Sequence, residues 1–148
     1  MKNSIMRILS VVLMLCASVV PLFSISVLAA TEEIVPYYNN VGSATTNLQI
    51  TESGKLTINY KYVGSSQVTT KAVLTTYIEK KVLGLFWTRV DIGTTNDQWV
   101  DTIYDYRYTG TRTFQLPSSG EYRITVIFVI YGNGGEADNI VAQKTVSY

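Results

Sequence analysis

Apolar and polar residues alternate with a period of two along most of this chain, and the alternation predicts strands. Its clearest run is Lys55 to Val63. Leu56, Ile58, Tyr60 and Tyr62 fall on one side and Lys55, Thr57, Asn59 and Lys61 on the other, the pattern of a half-buried antiparallel strand. Asn47 to Thr51 precedes it with Leu48 and Ile50 on one face, and Glu52-Ser53-Gly54 is the turn between them. Val68 to Lys80 predicts a long strand with Ala72, Leu74 and Ile78 inward, and Phe86 to Ile92 its hairpin partner. After a polar loop, Gly93 to Gln98, the run Trp99 to Tyr108 reads as a strand with Tyr104, Tyr106 and Tyr108 in a row. Thr111 to Leu116 is a short strand.

Pro117-Ser118-Ser119-Gly120 is a turn signal. Glu121 to Tyr131 carries Tyr122, Ile124, Val126, Phe128 and Ile130 on one face and Ile127 and Val129 on the other. Apolarity on both faces predicts a central strand. Gly132-Asn133-Gly134-Gly135 is a loop of residues that tolerate positive φ, and Asn139 to Tyr148 is a last strand, long enough to form a sheet edge. No window shows sustained 3.6-residue spacing, and Thr, Val, Ile and Tyr favour strands. The expected fold is all-β: an immunoglobulin-like antiparallel β-sandwich of seven or eight strands. Gly120-Glu121-Tyr122 sharpens it, having the form of a tyrosine corner, in which a Tyr near the start of a strand bonds back to nearby backbone.

The first residues follow a different pattern. Lys2 and Arg7 precede an almost unbroken apolar run, Ile8 to Leu28, which ends in Val27-Leu28-Ala29. Charged start, apolar run and small-residue site predict a secretory signal peptide, residues 1–29, cleaved after Ala29. Pro21 and the cleavage site weigh against a retained anchor. The expected organisation is therefore signal 1–29, leader 30–46 and one β-sandwich domain, 47–148, secreted and extracellular. Cleavage takes two of the 12 basic side chains with it and leaves 11 acidic ones, a near-neutral balance that argues against nucleic-acid binding. It also removes Cys16, the one cysteine, so no disulfide is expected. Leu13-Met14-Leu15 before Cys16 is too bulky for a lipoprotein signal, and Thr145 to Tyr148 ends the sequence without an anchor pattern.

Tyr37-Tyr38-Asn39-Asn40, Thr76-Tyr77-Ile78-Glu79-Lys80-Lys81, Trp87 and Ser119-Gly120-Glu121-Tyr122-Arg123 occur in that order. In this the chain resembles small secreted β-sandwich proteins of Gram-positive bacteria, grouped as a domain of unknown function. The resemblance implies a Firmicute-like secreted source and an immunoglobulin-like fold. It implies no activity and no binding residues.

The chain has no His, and no Cys beyond the signal, which removes the common nucleophile–base pairs and the usual zinc sites. Asp97, Asp101 and Asp105 are candidates for a carboxylate pair or a calcium site, but their spacing is not that of a calcium loop, and solvated acids are expected instead. No catalysis, cofactor or metal is expected. Two features suit a partner. Tyr104, Tyr106 and Tyr108 at period two either stack on a ligand such as a sugar or form a tyrosine-rich rim of the core. Val82 to Trp87 is six non-polar residues where a hairpin should be polar, flanked by Lys80, Lys81 and Arg89. Either Leu83, Leu85, Phe86 and Trp87 form a contact surface, or they fold onto the core around a turn at Gly84. The expected function is a non-catalytic extracellular binding or matrix module, its partner a cell-surface polysaccharide, a protein or a membrane surface. The alternative is a secreted effector, toxin or bacteriocin-like, acting on other cells.

Overall fold

The computed structural model describes residues 38–148; the expected signal peptide, 1–29, and residues 30–37 of the expected leader lie outside the described residues. Eight strands follow in order: β1 (Val41–Ile50), β2 (Lys55–Gly64), β3 (Thr69–Val82), β4 (Phe86–Arg89), β5 (Trp99–Ile103), β6 (Arg107–Gln115), β7 (Glu121–Gly132) and β8 (Asp138–Ser147). They form two antiparallel sheets. One has the order β1-β2-β6; the other has β4-β3-β7-β8, with β5 on the same edge of β3 as β4. The first, second and sixth strands packed against the third, seventh and eighth is the Greek-key arrangement of an immunoglobulin-like sandwich.

The core lies between the inner faces. Leu56, Ile58, Tyr60 and Tyr62 from β2 meet Ala72, Leu74 and Ile78 from β3 and the five even-numbered residues Tyr122 to Ile130 of β7. These are the residues that period-two alternation turned inward, and all are buried. β7 pairs with β3 and β8 over nearly its whole length, so it is the central strand its two-faced apolarity implied. The tyrosine corner is present too: the buried Tyr122 donates its hydroxyl to the Ser118 carbonyl at 2.6 Å. β8 is a sheet edge. Its Lys144 sits opposite the inward-facing Ile124 yet remains exposed, and a charge at such a position discourages pairing with a further strand.

Two expectations are corrected. The first strand begins at Val41, six residues earlier than expected, so part of the expected leader is structural. The backbone N–H groups of Asn39 and Asn40 donate to the two carboxylate oxygens of Asp138 at 2.8 and 2.7 Å. The Asn40 side chain, itself 2% exposed, donates to the Glu136 carbonyl at 2.7 Å and accepts from the Gly134 N–H at 3.1 Å. Thr69 closes the knot by donating its hydroxyl to the Asn40 carbonyl. Gly134 is needed here for space rather than for positive φ, since a Cβ on it would lie 2.0 Å from the Asn39 carbonyl oxygen.

The second correction concerns Trp99 to Tyr108, which is two strands in different sheets. β5 ends at Ile103 and β6 begins at Arg107, and the chain crosses between sheets through Tyr104-Asp105-Tyr106. The corner is held by backbone, which alternation does not reveal. Tyr62 donates its hydroxyl to the Asp105 carbonyl at 2.8 Å, the Arg107 N–H donates to the Asp105 carboxylate at 3.2 Å, and the Gly64 N–H donates to the Tyr106 carbonyl at 2.7 Å.

Candidate functional site

β3 and β4 form a hairpin that overhangs its sheet. The last residue of β3 paired with β7 is Lys80, opposite Tyr122, yet β3 continues to Val82 before turning. Val82 pairs with Phe86, leaving Leu83-Gly84-Leu85 at the apex. The Leu85 N–H donates to the Val82 carbonyl at 3.1 Å, and both residues inside that turn are left-handed, Leu83 with φ 53° and Gly84 with φ 68°. Turns with two left-handed central residues favour Asn-Gly or Asp-Gly. A Leu there costs roughly 1–2 kcal/mol through its Cβ. No burial offsets that cost: Leu83 is 85% exposed, Leu85 73% and Phe86 63%. Of the two readings open from sequence, these three residues follow the exposed one.

Trp87 is different. It is half-buried at the base of the tip, its ring on the outer face of the sheet with the Lys81 ammonium 5.6 Å and the Arg123 guanidinium 4.4 Å from its centroid. Each cation is also ion-paired, Lys81 with Glu121 at 2.9 Å and Arg123 with Glu79 at 2.8 Å. Two residue pairs further back, the Arg89 guanidinium lies 3.3 Å from the centre of the Tyr77 ring. Tyr77, Glu79 and Arg123 belong to the motifs that carry the family resemblance but show no contact role in the sequence, although period-two spacing places Tyr77 and Glu79 on one face of β3 with Lys81.

The tyrosine row does not survive. Tyr104 is exposed at the sheet crossover, Tyr106 is half-buried with Arg107 5.2 Å from its ring centre, and Tyr108 packs on Tyr62 at a centroid distance of 6.2 Å. The Tyr108 ring lies across Gly110, where a Cβ would come within 2.2 Å of its hydroxyl. These residues are near Gly64 and Thr69, at the end of the sandwich away from the hairpin tip, so the two sequence candidates do not form one site. An open cleft of about 490 Å³ borders Tyr62 and Tyr108, with Lys61, Asp105 and Arg107 around it. Burial, with Asp105 adding to it, pushes the Tyr62 hydroxyl pKa up to about 12, so it stays a neutral donor.

The acids are scattered. Asp101 pairs with Arg112 across the open side of the sandwich, Asp105 serves the crossover and Asp97 lies in a single 3-10 turn. Among the described residues no three potential metal-ligating side chains lie together. One further apolar surface is present on the outer face of the larger sheet: Val100, Thr75, Ile127 and Val141 form a row across it, with Val100 and Val141 more than half exposed.

No family model matches the chain, and no curated protein matches it. Among solved structures it is similar to the wild-type OgpA of Akkermansia muciniphila, with 16% identity and a TM-score of 0.41. That similarity covers 76% of this chain and 28% of OgpA, so the chain spans under a third of that protein's length.

Proposed function

We propose that the protein is a secreted, non-catalytic binding module whose contact element is the β3–β4 hairpin. The observation that carries this reading is Leu83: an apolar residue, 85% exposed, held in a backbone conformation that a polar Asn or a Gly would adopt at lower cost. The fold gains nothing from Leu at that position, and outliers of this kind cluster where a surface is used. Leu85 and Phe86 beside it enlarge the same apolar apex. Secretion is supported by the charged start, apolar run and Val27-Leu28-Ala29 site of the sequence.

The test is retention of the folded protein on insoluble peptidoglycan, insoluble polysaccharide and lipid vesicles, with the double variant Leu83→Ser/Leu85→Ser beside it. Wild type is expected to be retained by one of the three and the double variant to be lost from it. Equal behaviour of the two proteins on every surface would remove the hairpin from the account.

A further inference from the structure

The identity of the surface follows from the same hairpin, and this inference rests on the reading of that hairpin as the contact element. We propose that the tip inserts into the interface of an anionic lipid bilayer. Shape is the first argument. A stable protein–protein interface takes roughly 20–30 residues a side. The apex offers four apolar side chains, Val82, Leu83, Leu85 and Phe86, on one convex overhang. A bilayer imposes no fixed shape and accepts a small wedge.

The order of side chains along β4 is the second argument. Phe86 is at the apolar apex, Trp87 follows with its ring against two cations, and the exposed Arg89 comes last against Tyr77. Acyl region, amphipathic interface and headgroups are met in that order by an inserting segment, with Trp at the boundary and long cations reaching the phosphates. From Phe86 to Arg89 the strand rises roughly 10 Å, which matches the roughly 5–10 Å depth of interfacial apolar faces.

Charge is the third argument. Lys80, Lys81, Arg89 and Arg123 surround the base of the hairpin, facing Glu79 and Glu121. The two acids are consumed by Lys81 and Arg123. Lys80 donates to the Ser118 hydroxyl and Arg89 stacks on Tyr77, and neither has a carboxylate partner among the described residues. Two uncompensated cations at headgroup level favour phosphatidylglycerol over a zwitterionic lipid.

The secreted form, cleaved after Ala29, and its Leu83→Ser/Leu85→Ser variant would be sedimented with phosphatidylglycerol-containing and with pure phosphatidylcholine vesicles, at low and high salt. Tryptophan emission would be read in vesicles with brominated acyl chains. The wild type is expected to bind anionic vesicles, more weakly at high salt, with emission quenched by bromine. The double variant should lose more than about tenfold in partitioning, the consequence of removing two Leu side chains from a lipid-buried apex. Arg89→Gln should reduce the preference for anionic over neutral vesicles while quenching at saturation persists. Absence of vesicle binding, with tip-dependent retention on peptidoglycan or polysaccharide, would overturn the lipid assignment and leave the hairpin as contact element. Binding without quenching would overturn insertion. Equal vesicle binding by wild type and double variant would overturn the hairpin reading itself and move the contact elsewhere, the Val100–Val141 row being the next surface to mutate.

Discussion

The two ends of β3 reverse the usual division of residues in opposite senses. At the Thr69 end polar groups are inside: Asn40 and Asp138 are 2% and 6% exposed. At the Val82 end, roughly 45 Å away along a 14-residue strand, large apolar groups are outside. The polar end is almost fully satisfied. Asp138 caps two backbone N–H groups, and the Asn40 amide both donates and accepts. Buried polar groups in such a network rigidify a fold, and they are costly to break because each lost partner leaves another group stranded. The apolar end has no partner within the fold and holds a Leu in an unfavourable backbone conformation. The contrast separates what holds the sandwich together from what the sandwich displays. Removing side chains should cost stability at the polar end and none at the apolar end.

The largest effect is expected at the knot. Asn40→Ala removes the acceptor of the Gly134 N–H and the donor to the Glu136 carbonyl, and should cost about 2–4 kcal/mol by denaturant unfolding. A loss under about 0.5 kcal/mol would mean the knot is ornamental, since that is the scale of an ordinary surface change.

Next come two buried tyrosines that differ in one bond. Tyr122 reaches the Ser118 carbonyl, whereas the buried Tyr60 hydroxyl, with the Thr76 side chain as its polar neighbour, makes no well-formed hydrogen bond among the described residues, and burial raises its pKa. Tyr122→Phe should cost about 1–2 kcal/mol by stranding that carbonyl. Tyr60→Phe should cost nothing or stabilise, because it removes an unsatisfied buried hydroxyl. Equal losses in the two variants would show that ring packing, and not hydrogen bonding, decides both.

At the tip the sign changes. Leu83→Asn should stabilise by about 1 kcal/mol, since Asn accepts the left-handed conformation more readily than Leu. A loss of stability in this variant would mean that Leu83 makes contacts that its exposure conceals.

These differences also explain what could be read without coordinates. The inward faces of β2, β3 and β7 were legible because a sheet buried on one side imposes its period on the residues themselves. The tyrosine corner was legible because its bond spans four residues, and a turn signal marks the place. The knot was not: Asn40 and Asp138 are 98 positions apart, and nothing local in either asks for the other. The sheet crossover at Tyr104 to Tyr106 escaped because apolar alternation continues through it, although the hydrogen-bonded partner changes from β3 to β2. The hairpin tip was half legible. Its apolar run was plain, but sequence left core and contact readings open, because the overhang of β3 past Lys80 depends on where β7 begins.

The smallest expected effect bears most directly on the separation of the two ends, and it is the melting midpoint of Leu83→Ser/Leu85→Ser. Both side chains are more than two-thirds exposed, so the variant should melt with the wild type, within about 0.5 kcal/mol in stability. Removing two Leu side chains from a packed site would instead cost several kcal/mol, roughly 2–5 for each. An unchanged midpoint leaves the apolar tip free for a surface outside the protein, and a large drop would return Leu83 and Leu85 to the core and contradict the account.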